Sequence, residues 1–426
     1  MKNRYSLHKW TTLITFSLMY NMVYIGRFNI NNNISEFAGI LSLSAGQQNI
    51  IVISLFFSYA IGSFINGYFA DRYGGKHIAV TGAVMTCFIN ICIPDIKNWI
   101  LVLTMWIFNG YFQSMIWLGG VFLLAQWWEN GNRGKSIGIA NFSSGLSHAT
   151  AYILPAALAS VFPALTWKQS FVTPLYILII FVMIFSILAS ASPSARGLAD
   201  YSASPGDRKR EAELLSLYKL RKYPWKLFLG NRKFIIWCFI ALLSSICRYG
   251  LLNWIPLYYE NFAYGPVISD FFLSLTLPVG MAFGTLIMTW FTDARFSENK
   301  GIMITALAAM CGTMVTVFPM LDSPRAILIG IFLTGFFLYG INGIFWLYAI
   351  DYGSRYFAGS AAGILNGFAY FGAGIESLIF AGVLKLFGSY QSVFILMEIL
   401  CICMALFGIF VAGKDTKIIP ELGIKD

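Results

Sequence analysis

Twelve stretches of the chain are apolar over a length that crosses a bilayer, and polar turns separate them. They fall at 10–32, 47–70, 77–94, 99–127, 134–162 and 169–191, then, after a polar interval, at 233–258, 268–292, 301–320, 325–349, 356–386 and 390–412. A helix needs about 20 mostly apolar residues to cover the hydrocarbon core. With no water in lipid to satisfy the backbone, such runs fold as helices. The run that follows Met1-Lys2 has no small-residue cleavage site and continues into a charged residue, so it reads as the first span and not as a signal peptide. The pattern predicts an all-α membrane protein with 12 transmembrane helices in two six-helix halves.

Orientation follows from the basic residues. The N-terminal tail, the even-numbered loops, the central interval and the C-terminal tail together hold 23 of the 29 Lys and Arg. Basic residues gather on the cytoplasmic side, which predicts that both termini are cytoplasmic. The interval 192–232, with "SASPGDRKREAELLSLYKLRKYPWK" at its centre, is the one marked change in composition. It reads as a linker between an N-terminal bundle (1–191) and a C-terminal bundle with its tail (233–426). Part of it, 211–222, is open to an amphipathic helix lying on the membrane surface.

Composition narrows the function classes. Only 11% of residues are charged, against roughly 25% in soluble domains. With 58% hydrophobic residues, 38 Phe and 12 Trp, too little polar surface remains to cover a soluble globule. A soluble enzyme, a nucleic-acid-binding domain and a disordered chain are excluded. The net charge of +10 is accounted for by the cytoplasmic loops, so it is no nucleic-acid footprint. Seven Cys lie in apolar runs with no C-x-x-C pair, as expected of reduced, buried thiols. No ATP-binding loop, Ser/His/Asp set or metal-ligand cluster stands out, so neither enzymatic activity nor a cofactor is expected.

The two halves echo one another. Asp71 in "GYFADRYGGK" answers Asp293 in "TWFTDARFSENKG", 222 residues on. Gly138 and Asn141 answer Gly363 and Asn366 at 225, and Arg27 answers Arg248 at 221. Parallel repeats of six spans place a substrate at their interface near the bilayer midplane. The repeat points to a transporter and away from a membrane enzyme.

Arginine at a helix centre costs about 2.5–3.5 kcal/mol on insertion scales, so Arg27 and Arg248 are functional candidates. Two guanidinium forks suit a phosphate or carboxylate, each giving parallel charge-assisted hydrogen bonds. Snorkelling or an inter-helix salt bridge is the competing role. Glu376, inside the eleventh span, is open to three uses: carrying a proton, pairing with an arginine, or binding a cationic or hydroxylated part of a substrate. His148 is equally open to a structural hydrogen bond or to a substrate or proton role. Glu398 reads as peripheral, and His8 and His77 as surface residues.

The segment Gly67, Asp71, Arg72, Gly74 and Lys76 (G-x-x-x-D-R-x-G-x-K) resembles the loop signature of the major facilitator superfamily, and joins the second and third spans as it does there. Within that superfamily the chain looks like the organophosphate:phosphate antiporters, which include glycerol-3-phosphate and hexose-phosphate transporters. "RYGLLNWIPLYY" (248–259) and "YNMVYIGRFNI" (20–30) are similar to the family's seventh- and first-span patterns, and 110–128 and 358–374 to its fourth and eleventh spans. The resemblance implies that Arg27 and Arg248 clasp a phosphoryl or other anionic group, with Tyr20, Tyr24, Tyr59 and Tyr370 lining the cavity. Asn141, Ser144 and Asn253 join the substrate-binding set, and Glu376 and His148 serve coupling or binding. The gating loop would comprise Asp71, Arg72, Lys76 and Asp293. The chain departs from the glycerol-phosphate branch at Ser63, Ser144, Asn253 and Pro278, each standing at or near a charged or histidine position of that branch.

The resulting expectation is a monomeric, multi-pass transporter of a bacterial inner membrane. It would exchange a small phosphorylated metabolite for inorganic phosphate by alternating access. A proton-coupled symporter of a carboxylate or sulfonate, and a membrane sensor of a phosphorylated ligand, are the alternatives.

Overall fold

The computed structural model describes residues 2–129, 131–200, 212, 214–216, 218, 225–261 and 270–413. Among the described residues, nine helices satisfy the length and apolarity of a membrane span unaided. One of these, Pro324–Phe387, is 64 residues long, about 96 Å at 1.5 Å per residue. It breaks at Ser354 and Phe357, where the backbone leaves helical geometry, so it crosses twice. The helices Lys2–Asn32 and Arg133–Val161 are long enough but carry polar residues. Those polar groups, among them Asn21, Arg27, Asn29, Asn141, Ser144 and His148, are buried inside the bundle.

The crossings are thus twelve. The first half comprises Lys2–Asn32, Ala45–Tyr73, Gly75–Cys92, Trp99–Trp127, Arg133–Val161 and Trp167–Leu188. The second comprises Arg232–Asn261, Asp270–Arg295, Lys300–Val317, the two limbs of Pro324–Phe387, and Tyr390–Phe410. Most helices run past the apolar stretch that predicts them, because a helix continues into water once its lipid-facing part is formed. Pro155, Pro174, Pro256 and Pro278 sit inside helices, as membrane helices tolerate when neighbours satisfy the freed carbonyls.

An even number of crossings returns the chain to the face on which it begins, called here the terminal face. Helix starts are treated differently on the two faces. On the far face, Ser44, Asn98, Thr166 and Ser389 accept backbone N–H groups of their own first turns, while Ser323 before the tenth span makes no such bond. On the terminal face, the fifth and eleventh spans are capped from the opposite half. Asp71 accepts from the N–H groups of Gly359 (2.8 Å) and Ser360 (2.9 Å) and from the Ser360 hydroxyl (2.5 Å). Asp293 accepts from the N–H of Gly134 at 2.7 Å. A carboxylate at a helix N-terminus meets both orphan donors and the positive end of the helix dipole.

Close backbone approach makes the first of these caps reachable. A Cβ on Gly67 would stand 2.4 Å from the carbonyl oxygen of Gly359, so the second and eleventh spans touch there without side chains between them.

The same face carries an ion-pair cluster. Asp351 receives Arg133 at 3.0 Å and Lys300 at 2.9 Å. The Gln126 amide donates to the Arg355 carbonyl across the halves at 2.7 Å. Within the interval 192–232, residues 201–211, 213, 217 and 219–224 lie outside the described residues, and these include most of the 211–222 segment expected to be amphipathic. Its described part is docked on the bundle: Leu214 is buried, the Tyr218 hydroxyl donates to the Asp71 carbonyl at 3.3 Å, and its ring meets Tyr356 and Phe357.

Candidate functional site

Arg27 sits in the first span and is 1% exposed. Its Nε donates to Oε1 of Gln113 in the fourth span at 2.8 Å, and its Nη1 donates to the hydroxyl of Tyr370 in the eleventh. The guanidinium lies over the rings of Tyr24 (4.1 Å) and Tyr59 (4.9 Å). Ring faces carry negative potential, so this cage offsets part of the cost of burying the cation. The Tyr59 ring stacks on that of Tyr370 at 3.7 Å, which holds the hydroxyl of Tyr370 toward the arginine.

Arg248 repeats the arrangement from the other half. It is 7% exposed and lies over Tyr339 (4.6 Å) and Tyr249 (5.2 Å). Its Nη2 lies 3.4 Å from Nδ1 of His148 in the fifth span. A guanidinium can only donate, so Nδ1 accepts and the proton of the neutral imidazole is assigned to Nε2. Each arginine therefore reaches across the interface to a residue of the opposite half.

The two are joined by a hydroxyl chain. Ser144 Oγ lies 3.4 Å from the Tyr24 hydroxyl and 3.1 Å from that of Tyr339. Asn141 accepts from Asn342 at 3.1 Å, and Tyr20 packs against Trp117 at 4.8 Å. Tyr20, Tyr24, Asn141, Ser144, Arg248 and Tyr370 share the lining of one central cavity of about 20 Å³. One water needs on the order of 10–15 Å³, so the cavity beside Arg248 is little larger than a single water; Arg27 and Tyr59 stand outside its lining, behind Tyr24 and Tyr370.

Both guanidinium groups keep a donor in hand. Arg27 Nη2, Arg248 Nε and His148 Nε2 are buried with no hydrogen-bond partner among the described residues. Among the described residues neither arginine forms an ion pair. Two uncompensated cations with spare N–H groups in a low-dielectric interior are costly to hold. The arrangement is chemically suited to an anion.

Glu376 is not the arginines' partner. It is 2% exposed, and its carboxylate accepts from Asn253 Nδ2 and Trp254 Nε1, each at 3.1 Å. Of the three uses the sequence leaves open to it, pairing with an arginine is not made among the described residues. Asn253 stands with Glu376 and lines a second, larger cavity instead of the central one. Of the loop residues, Asp71 and Asp293 bridge the halves as helix caps. Arg72 donates to Tyr68 one turn back at 2.9 Å, and Lys76 makes no ion pair among the described residues.

Sequence reasoning passed over Gln113, Tyr249 and Tyr339, and the pair Arg133–Asp351. Gln113 had a signal, an amide in the middle of an apolar run. The tyrosines had none, since a tyrosine in a span is as well suited to packing.

Comparison with known proteins agrees with this architecture. Residues 16–377 match the family described as the Major Facilitator Superfamily. The glycerol-3-phosphate transporter of Bacillus subtilis is 24% identical, with 85% of this chain and 83% of that protein aligned. A probable hexose phosphate transport protein of Chlamydia pneumoniae is 25% identical over the same shares. The membrane sensor protein UhpC of Salmonella typhimurium is 24% identical over 90% of this chain and 87% of its own. Among solved structures, a proton:xylose symporter bound to 6-bromo-6-deoxy-D-glucose superposes with a TM-score of 0.72. That match is 14% identical and covers 94% of this chain and 95% of the other.

Proposed function

The chain belongs to the Major Facilitator Superfamily, and we propose that it is a secondary transporter exchanging a small phosphorylated organic anion for inorganic phosphate. The carrying observation is the pair of buried arginines at the interface of the halves, each with an N–H that no acceptor meets and neither paired with a carboxylate among the described residues. The phosphate-ester substrates named for the transporting relatives support the choice of anion.

In this reading a phosphoryl group enters from the far face when the halves part. It takes the free N–H groups of Arg27 and Arg248, and the tyrosine cage shields it from competing water. The bound dianion offsets the mutual repulsion of the guanidiniums, which lets the halves close. The closed arrangement then releases the opposite face, where the caps of Asp71 and Asp293 and the Arg133–Asp351 pair break. An unneutralised pair of cations resists closure, so transit requires an anion in each direction, and exchange is the natural mode. Tyr20, Tyr24 and Tyr370 line the site and Tyr59 backs Tyr370, while Ser144 holds the Tyr24 hydroxyl and Asn141 accepts from Asn342 across the interface. His148 steadies Arg248.

The division into bundles at 1–191 and 233–426 about a linker at 192–232 belongs to this proposal. So do the cytoplasmic placement of the terminal face in a bacterial inner membrane and a monomeric working unit. The positive-inside distribution supports the orientation.

A second reading has one observation in its favour. Glu376 is buried with neutral partners only, as suits a carboxyl that gains and loses a proton, and it would make the protein a proton-coupled symporter of a carboxylate or sulfonate. Liposomes loaded with inorganic phosphate separate the two. Uptake of radiolabelled phosphate without a pH gradient, lost in Arg27→Lys, supports exchange. Uptake that needs an inward proton gradient and ignores internal phosphate selects the symporter, and ligand binding without flux identifies a sensor.

A further inference from the structure

On the far-face side of Arg248 lies a cavity of about 330 Å³, bounded by the first, fifth, seventh and eighth spans. Its size is that of a small ligand pocket, typically about 300–1,000 Å³. Tyr249 lines both this cavity and the central one, and His148, which carries Arg248, forms part of its wall. It is therefore the space into which the rest of a molecule extends when its phosphoryl group sits on the arginines.

The lining is chemically one-sided. Eleven of its sixteen described lining residues are Phe, Ala, Ile, Leu or Pro, and none of the sixteen is an acid or a lysine or arginine. Of the five polar ones, Asn253 is already engaged by Glu376 and His148 by Arg248. The Phe28 ring packs against Tyr152 at 5.8 Å and against His148 at 5.0 Å, forming an aromatic wall. A polyhydroxylated substituent placed here would leave most of its hydroxyls without partners, and each such group is penalised. An apolar substituent loses nothing and gains burial.

We infer that this transporter takes a phosphate monoester with an alkyl or aryl substituent, the substituent occupying the cavity beside Tyr249 and His148. The inference rests on the proposed anion site and adds to it the chemistry of the other end of the substrate. Charge is read by the arginines, and the cavity discriminates against the hydroxyl-rich esters that an arginine pair alone would accept equally well.

The test is competition against radiolabelled inorganic phosphate in phosphate-loaded liposomes. The competitors are n-alkyl phosphates from methyl to hexyl, with glucose 6-phosphate as the polyhydroxylated comparator. Half-inhibition is expected to fall about fourfold per methylene until the cavity is filled, as burial of apolar surface requires, and glucose 6-phosphate should compete no better than methyl phosphate. Ile153→Trp and Leu252→Trp, which fill the cavity from two helices, should flatten the series while inorganic phosphate exchange stays within about twofold. That pair also separates cavity binding from partition of longer chains into lipid, which the variants do not alter.

A flat series in the unaltered protein, with phosphate exchange intact, overturns the inference and leaves the anion site standing. Filler variants that slow inorganic phosphate as much as hexyl phosphate also overturn it, since the cavity is then a passage and not a pocket. Absence of phosphate exchange in folded protein removes the anion-exchange reading and this inference with it.

Discussion

Nη2 of Arg248 lies 3.4 Å from Nδ1 of His148, which ties a cation of the second half to an imidazole of the first. Arg27 and Tyr370 make the reciprocal tie. The anion site is thus assembled by the closing of the halves, because each arginine is oriented by a side chain it meets only when the interface forms. Ligand contacts and closure are the same event.

Replacing Arg27 or Arg248 by Lys keeps the charge and removes the fork. Charge-assisted hydrogen bonds contribute about 1.5–3 kcal/mol each, so phosphate exchange in liposomes should fall by about 10- to 100-fold in either variant. Expression and thermal stability in detergent should change little. Exchange at the level of the unaltered protein in both variants would remove the arginines from the site.

His148→Leu should weaken phosphate by a smaller factor, about fivefold, since it frees Arg248 to adopt other rotamers without removing a ligand. His148→Gln, whose amide oxygen can still accept from the guanidinium, should recover most of that loss. Measured half-saturation of exchange distinguishes the two, and equal defects would assign His148 a direct part in binding.

The helix caps predict an ordering. Asp71 accepts three hydrogen bonds from the eleventh span, and Asp293 accepts one from the fifth. Asp71→Asn should therefore shift the protein toward opening of the terminal face more than Asp293→Asn does. With about 1 kcal/mol at stake per cap, the shifts are of order fivefold. The readout is the rate at which a cysteine introduced in the central cavity reacts with a water-soluble thiol reagent added on the terminal side.

How much of this the chain discloses depends on the range of the interaction. Apolar runs are local, and they predict the spans and even the break between 325–349 and 356–386, although the backbone there continues as one interrupted helix. The offset of Asp71 and Asp293 foretells two equivalent sites, and the structure adds what they do, which is to cap a helix start nearly 290 residues away in one case. Arginines in apolar runs are conspicuous because water is the cheaper place for them. Tyr339 and Tyr249 carry no such mark, and Asp351 reads in sequence as an ordinary loop charge. Its partners Arg133 and Lys300 come from other loops, so only folding brings them together. Glu376 was legible as a buried acid, but its neutral partners were not.

Asp351 predicts a stability effect distinct from transport. Asp351→Ala removes the carboxylate shared by Arg133, 1% exposed, and Lys300, and removing one partner of a buried pair costs about 3–5 kcal/mol. The melting temperature in detergent should fall, and combining Asp351→Ala with Arg133→Met should restore part of the loss. If the double variant is no more stable than Asp351→Ala alone, the pair is not what holds this face.

Glu376→Gln keeps one oxygen for the Trp254 indole, turns an NH2 toward Asn253, whose amide can rotate to accept it, and abolishes titration. Under phosphate exchange, rate and pH profile should match the unaltered protein within about twofold. Collapse of gradient-driven uptake with exchange unaffected would instead select the symporter.

The contrast between local caps on the far face and borrowed caps on the terminal face has a consequence for solvent. When the terminal face opens, the starts of the fifth and eleventh spans lose the carboxylates of Asp293 and Asp71, and at the fifth span the N-cap residue Asn132 makes no side-chain cap bond of its own. Water has to take those places, so opening on this side is a hydration step that draws in a countable set of molecules. Osmolytes too large to enter the cleft, by lowering water activity, should hold the protein in the closed arrangement and slow turnover from that side alone.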